Sequence, residues 1–106
     1  FVYIDDMARA SVQVMNLDRV TYGRHTQPNC SHINVGAGTD CTIKVLAQII
    51  KSVVGYEGEI ALDPSKPDGS PRKLMDSRRM NSLGWAPTVG LKEGLAKAYS
   101  DFLSNL

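Results

Sequence analysis

A chain of 106 residues, 42% hydrophobic and 22% charged, has ordinary globular composition and the length of one small domain or of part of a larger one. Twelve Lys and Arg stand against eleven Asp and Glu, and a net charge of +1 is too balanced for a protein that binds nucleic acid by neutralising phosphates. No stretch approaches the roughly 20 apolar residues of a membrane helix, and no charged n-region precedes a leader-like apolar run.

Phe1–Ile4 is an apolar run that predicts an extended strand, closed by Asp5-Asp6. Asp5 is a candidate N-cap, and Asp6 places negative charge in the first helical turn, where the helix dipole favours it. Ala8, Val12 and Met15 then recur at helical spacing as far as Leu17. A start inside an apolar element with no polar lead-in predicts that residues 1–106 form part of a longer chain. Residues 18–31 lack a period, contain Gly23 and Pro28, and read as a loop. Ser31–Val35 reads as a short strand ending in the turn Gly36-Ala37-Gly38.

The clearest helix follows. Ile43, Leu46, Ala47, Ile50, Val53 and Val54 make one apolar stripe, with Gly55 placed to stop it. Gly58–Leu62 reads as a further strand. Three prolines and a glycine within Asp63–Lys73 forbid a regular helix. Asp76 is placed to cap a short helix through Met80 and Leu83, closed by Gly84. A last helix, with Gly90 as N-cap and Glu93 at N3, carries Leu91, Leu95, Tyr99, Phe102 and Leu103 on its buried side. Trp85 and Tyr99 read as core anchors. The order of strands and helices defines a mixed α/β class.

Three chemistries can be tried on these residues. Gly36-Ala37-Gly38 between a strand and a helix has the outline of a dinucleotide phosphate turn, but Cys41 stands where the third glycine belongs. A tight structural turn is the favoured reading. Cys30, Cys41, His25 and His32 form no marked nucleophile–base set and no metal spacing, so neither catalytic nor metal-ligating residues are assigned. The two cysteines, with ten residues between them, match no redox pair and suggest a reduced, cytoplasmic protein. The loop ending Pro71-Arg72-Lys73 is the best candidate site, and a run of solvated surface charges is the alternative reading of the same residues. Prolines reduce the entropy lost when a cation is presented to a ligand, Arg grips phosphate bidentately, and Asp68 can accept from ribose or sugar hydroxyls.

Phe1-Val2-Tyr3-Ile4-Asp5-Asp6-Met7-Ala8 and His32-Ile33-Asn34-Val35-Gly36-Ala37-Gly38 resemble segments of the extended short-chain dehydrogenase/reductases. Lys66–Asp76, with its Lys-Pro-Asp-Gly-Ser-Pro-Arg-Lys run, is similar to a stretch typical of the GDP-L-fucose synthase family within that group. Leu83-Gly84-Trp85 and the closing helix also fit, so the resemblance spans nearly all of the chain outside residues 18–31. It implies the C-terminal, substrate-binding part of such an enzyme, residues 1–106, with most of the Rossmann core lying elsewhere. The implied reaction converts GDP-4-keto-6-deoxy-D-mannose to GDP-L-fucose by epimerisation at C3 and C5 and reduction at C4. NADP(H) would bind the N-terminal domain, and the full-length enzyme would be a cytoplasmic homodimer. The family's hydride step uses a Ser, a Tyr-x-x-x-Lys pair and a glycine-rich loop, and its epimerisation a Cys and a His, all upstream of the matched region. No Tyr-x-x-x-Lys occurs here. By the same resemblance Lys73 contacts the nucleotide diphosphate, Asp68 lies in the same binding loop, and Arg72 assists or faces solvent. A related nucleotide-sugar epimerase or dehydratase, or a non-catalytic module binding a nucleotide sugar or a protein, are the alternatives.

Overall fold

The computed structural model describes all residues from Phe1 to Leu106. It contains five helices: α1 (Ile4–Met15), α2 (Arg19–His25), α3 (Ile43–Val54), α4 (Arg78–Ser82) and α5 (Leu91–Ser104). The strands expected at 1–4, 31–35 and 58–62 do not form. Residues 31–37 and 59–63 lack regular structure, and the sole β pairing is one antiparallel bridge between Gln27 and Cys30. A strand exists only as part of a ladder, because its backbone donors and acceptors need a neighbouring chain. These apolar runs have β character but no partner within this chain.

Local chemistry sets the helix ends. Tyr3 rather than Asp5 is the N-cap of α1, so both Asp5 and Asp6 lie within its first turn. The expected loop at 18–31 contains α2. Asp18 caps it by accepting from the Val20 and Thr21 amides, each at 2.9 Å, and from the Thr21 hydroxyl at 2.6 Å. The Thr42 hydroxyl accepts from Val45 N–H at the start of α3, and Gly55, at φ 71°, ends it in the left-handed conformation. Asp76 Oδ1 accepts from the Arg78 amide at 3.1 Å, one residue before the Ser77 cap position of α4. Gly90 is the N-cap of α5, as expected.

Ala10, Met80 and Trp85 form the fully buried apolar cluster, packed by the half-buried Val2, Val14, Ile33, Val35 and Leu83. Asp6, Ser77 and Gly94 complete the six buried residues. Helix α3 packs against α5, yet Ile43, Ile50, Phe102 and Leu103 stay substantially exposed. On α1 the expected packing face is reversed. Ala8, Val12 and Met15 are exposed, whereas Asp6 and Ala10 are buried. The radius of gyration is 17.5 Å, against about 13 Å for a self-contained domain of about 100 residues. So small a core in so extended a body means that these helices do not complete a hydrophobic core among themselves.

Candidate functional site

The proline-rich segment begins with a local turn. Asp63 Oδ1 accepts from the Ser65 amide at 3.0 Å and the Ser65 hydroxyl at 2.6 Å. From Glu59 to Asp76 every residue is exposed. Pro64, Pro67 and Pro71 each lack an amide donor, which leaves the segment little to hydrogen-bond with. Between Pro67 and Met75 the only hydrogen bonds are the two that Arg72 donates to Asp40, Nε to Oδ2 at 2.6 Å and Nη2 to Oδ1 at 3.4 Å.

The three residues singled out from the sequence therefore differ in their surroundings. Arg72 is held by a carboxylate 32 positions away in sequence. Neither Lys73 nor Asp68 has a hydrogen-bond or ion-pair partner, so the ammonium is free for an anion and the carboxylate for hydroxyl donors. Asp40 carried no signal in the sequence, since its partner is fixed only by the fold. The Arg72 guanidinium lowers the Asp40 pKa, and Asp40 raises that of Arg72.

Asp40 lines a cleft of about 370 Å³ together with Tyr3, Ala37, Cys41, Val89 and Leu91. Thr88 and Val89, which also line this cleft, are held by Asp6. Its buried carboxylate accepts from Arg9 Nη2 at 2.6 Å, the Thr88 hydroxyl at 2.7 Å, and the amides of Thr88 and Val89 at 2.9 and 3.0 Å. Trp85 Nε1 donates to the Asp6 carbonyl at 3.2 Å, and Arg9 Nη2 to that of Ala86 at 3.0 Å. Arg9, then Thr88 and Val89, hold the Asp6 carboxyl well below the usual range against the opposing effect of burial. An acid read from the sequence as a helix-dipole partner is thus the tie between α1 and the turn leading into α5.

The glycine turn has a packing reason. A Cβ at Gly36 would lie 2.9 Å from Met75 Cβ and 3.2 Å from Ser77 Oγ, and Ser77 Oγ donates to the Gly36 carbonyl at 3.2 Å. Gly38 takes φ 73°, which favours glycine. Of the other residues weighed for chemistry, His25 Nδ1 lies 2.8 Å from the Thr21 carbonyl within α2. Cys30 Sγ and His32 Nδ1 come within 3.9 Å, and Arg79 donates towards Cys30 Sγ and the His32 carbonyl at 3.9 and 3.5 Å. They border a polar cavity of about 540 Å³ with Asn34, Asp76 and Arg78, apart from Lys73 and Asp68. There Arg78 lowers the Asp76 pKa to about 2. No three His, Cys, Asp or Glu side chains gather as a metal set, and no helix is long and apolar enough to cross a membrane.

No family model matches the chain. Solved structures that share its fold include a GDP-6-OMe-4-keto-L-xylo-heptose reductase of Campylobacter jejuni (TM-score 0.84, 33% identity, 96% of this chain and 30% of that one) and a GDP-mannoheptose C4 reductase of the same organism with NADP bound (TM-score 0.76, 34% identity, 93% and 29%). Fold and segments together define the chain as a C-terminal part of the extended short-chain dehydrogenase/reductase family. Within that family it is homologous to the GDP-L-fucose synthases. It is 53% identical to the enzyme of Escherichia coli K12 over 105 residues, 99% of this chain and 33% of that protein. The chain spans about a third of the length of the relatives it matches.

Proposed function

We propose that this chain is the GDP-sugar-binding side of an NADP(H)-dependent enzyme that converts GDP-4-keto-6-deoxy-D-mannose to GDP-L-fucose. The observation that carries the reading is identity of 53% to a GDP-L-fucose synthase along essentially the whole chain. The proline-rich loop, with its unpaired cation and carboxylate, supports it. Lys73 places a compact positive charge against the GDP diphosphate, where an ammonium acts as a point charge on delocalised phosphate oxygens. Asp68 accepts from hydroxyls of the ligand. NADP(H), when bound by the remainder of the enzyme, supplies the hydride. The present residues bind and orient substrate and perform no proton or hydride transfer, so the isolated segment is inactive. The complete enzyme is a cytoplasmic homodimer.

The test is kinetic, on the full-length protein. Consumption of NADPH should depend on GDP-4-keto-6-deoxy-D-mannose, and Lys73→Ala should raise KM about tenfold or more with little change in kcat. That is the signature of lost ground-state binding by a charged contact. Kinetics equal to wild type would remove the diphosphate assignment. Preference for a UDP-sugar in a thermal-shift panel would overturn the substrate class. The two heptose reductases among the structural relatives favour one second reading, reduction of another GDP-4-keto sugar, and the same panel separates it.

A further inference from the structure

We infer that Asp40 is a positioning residue for the substrate loop, acting through Arg72. The inference rests on the reading of Lys73 as the diphosphate contact and assigns Arg72 to holding that loop. Along Pro67–Met75 the chain has no backbone hydrogen bond, every residue is exposed, and two bonds to Asp40 are the whole of its hydrogen-bonded attachment. Lys73 is the next residue after the anchored Arg72. A guanidinium gripped through both Nε and Nη2 has its plane and direction defined, unlike an ammonium held at one point. Exposed ion pairs contribute little in general, and this one, with a close Nε bond at 2.6 Å and a longer Nη2 contact at 3.4 Å, matters less for its strength than for being the segment's one attachment.

The other end of the tether is firm. Asp40 lies between Gly38, which turns the chain at φ 73°, and Thr42, which caps α3 through Val45 N–H. Helix α3 in turn packs on α5. The positional information in Lys73 therefore comes from α3 by way of the ion pair. Without Asp40 the segment would sample many conformations, and Lys73 would have to be ordered at the moment the diphosphate binds. That ordering entropy would appear in KM. Since Asp40 touches no reacting atom in this account, kcat should be spared.

The experiment uses the full-length enzyme, with two readouts. Backbone 15N heteronuclear NOE values at Gly69, Ser70 and Lys73, measured without substrate, report anchoring alone, because they follow chain mobility and need no amide hydrogen bond. Asp40→Ala and Arg72→Ala should each lower them, and the charge-swapped double variant, Asp40→Arg with Arg72→Asp, should restore them. Steady-state kinetics report the consequence. Asp40→Ala should raise KM about two- to fivefold, the factor expected for a pair of this exposure, at unchanged kcat, with recovery in the swapped variant. Unchanged loop mobility in Asp40→Ala overturns the inference whatever the kinetics. So does greater mobility with unchanged KM while Lys73→Ala still raises KM, since the anchor then carries no positional information. Unchanged KM in both Asp40→Ala and Lys73→Ala refutes the reading of Lys73 itself, and the role of Asp40 falls with it. Restored rigidity without recovery of KM would mean that Asp40 acts on the ligand directly, which also overturns a role through Arg72.

Discussion

Met80→Ala is the sharpest test of where this structure keeps its stability. Met80 is fully buried, in contact with the only other two buried apolar side chains, Ala10 and Trp85. Its backbone is fixed as well, because its carbonyl accepts from the amides of both Leu83 and Trp85 at 3.1 Å. Truncation beyond Cβ therefore opens a space that the turn at 83–85 cannot readily close. Substitutions of this kind cost about 2–5 kcal/mol. The surrounding Val2, Val14, Ile33, Val35 and Leu83 are only half-buried and can relax towards the gap, which places the expectation at about 2–3 kcal/mol. Thermal unfolding should then fall by about 4–12 °C in a protein larger than this chain. The measurement is urea unfolding of the full-length protein, with Met75→Ala as an exposed control expected to cost about 0.5 kcal/mol or less. Met80→Leu, which nearly conserves volume, should cost less than about 1.5 kcal/mol. A Met80→Ala protein within about 0.5 kcal/mol of wild type, or a Met80→Leu protein as unstable as Met80→Ala, would refute the claim that this cluster is the core.

Asp6 predicts an acid limb. Its pKa is lowered in the folded state from an ordinary 3.8, so its contribution is fully present above that value and is lost as the pH falls towards the folded one. Urea midpoints measured between about pH 5 and pH 3 should drop more steeply in wild type than in Asp6→Asn, and parallel slopes would exclude Asp6 as the titrating group. Gly36→Ala should destabilise the protein, because its Cβ would sit 2.9 Å from Met75 Cβ and must push the 75–77 segment away. A crystal structure of the variant with that segment unmoved and its stability intact would contradict this packing. Thr42→Ala removes the cap of α3 and should cost about 1 kcal/mol by urea unfolding, while Thr42→Ser should behave as wild type.

Helix limits were legible wherever the signal is local. The Gly55 stop, the Gly90 cap and the apolar stripe of α3 follow from backbone freedom and helical period, which neighbouring residues suffice to define. Helix α2 was missed although Asp18 and Thr21 supply its cap, since Gly23 and an absent period obscure a helix of seven residues. The extended readings at 1–4, 31–35 and 58–62 were overturned because a strand is a property of two chains, and periodicity sees one. Among the candidate functional residues, the composition of the loop and its prolines singled out Asp68, Arg72 and Lys73. It could not show that one of the three is tethered.

The amino-acid sequence alone determined the family resemblance, the three long helical segments and the loop in which charge is presented, because each depends on residues close together along the chain. Tertiary structure decided the roles of two aspartates that sequence treats as ordinary. Asp6 became a buried hub bonded to residues more than 80 positions away, and Asp40 the anchor of a loop 32 positions downstream. Hydrogen bonds and ion pairs depend on distances of about 3 Å in space. The composition of a segment carries no record of which remote partner the fold will bring within that reach.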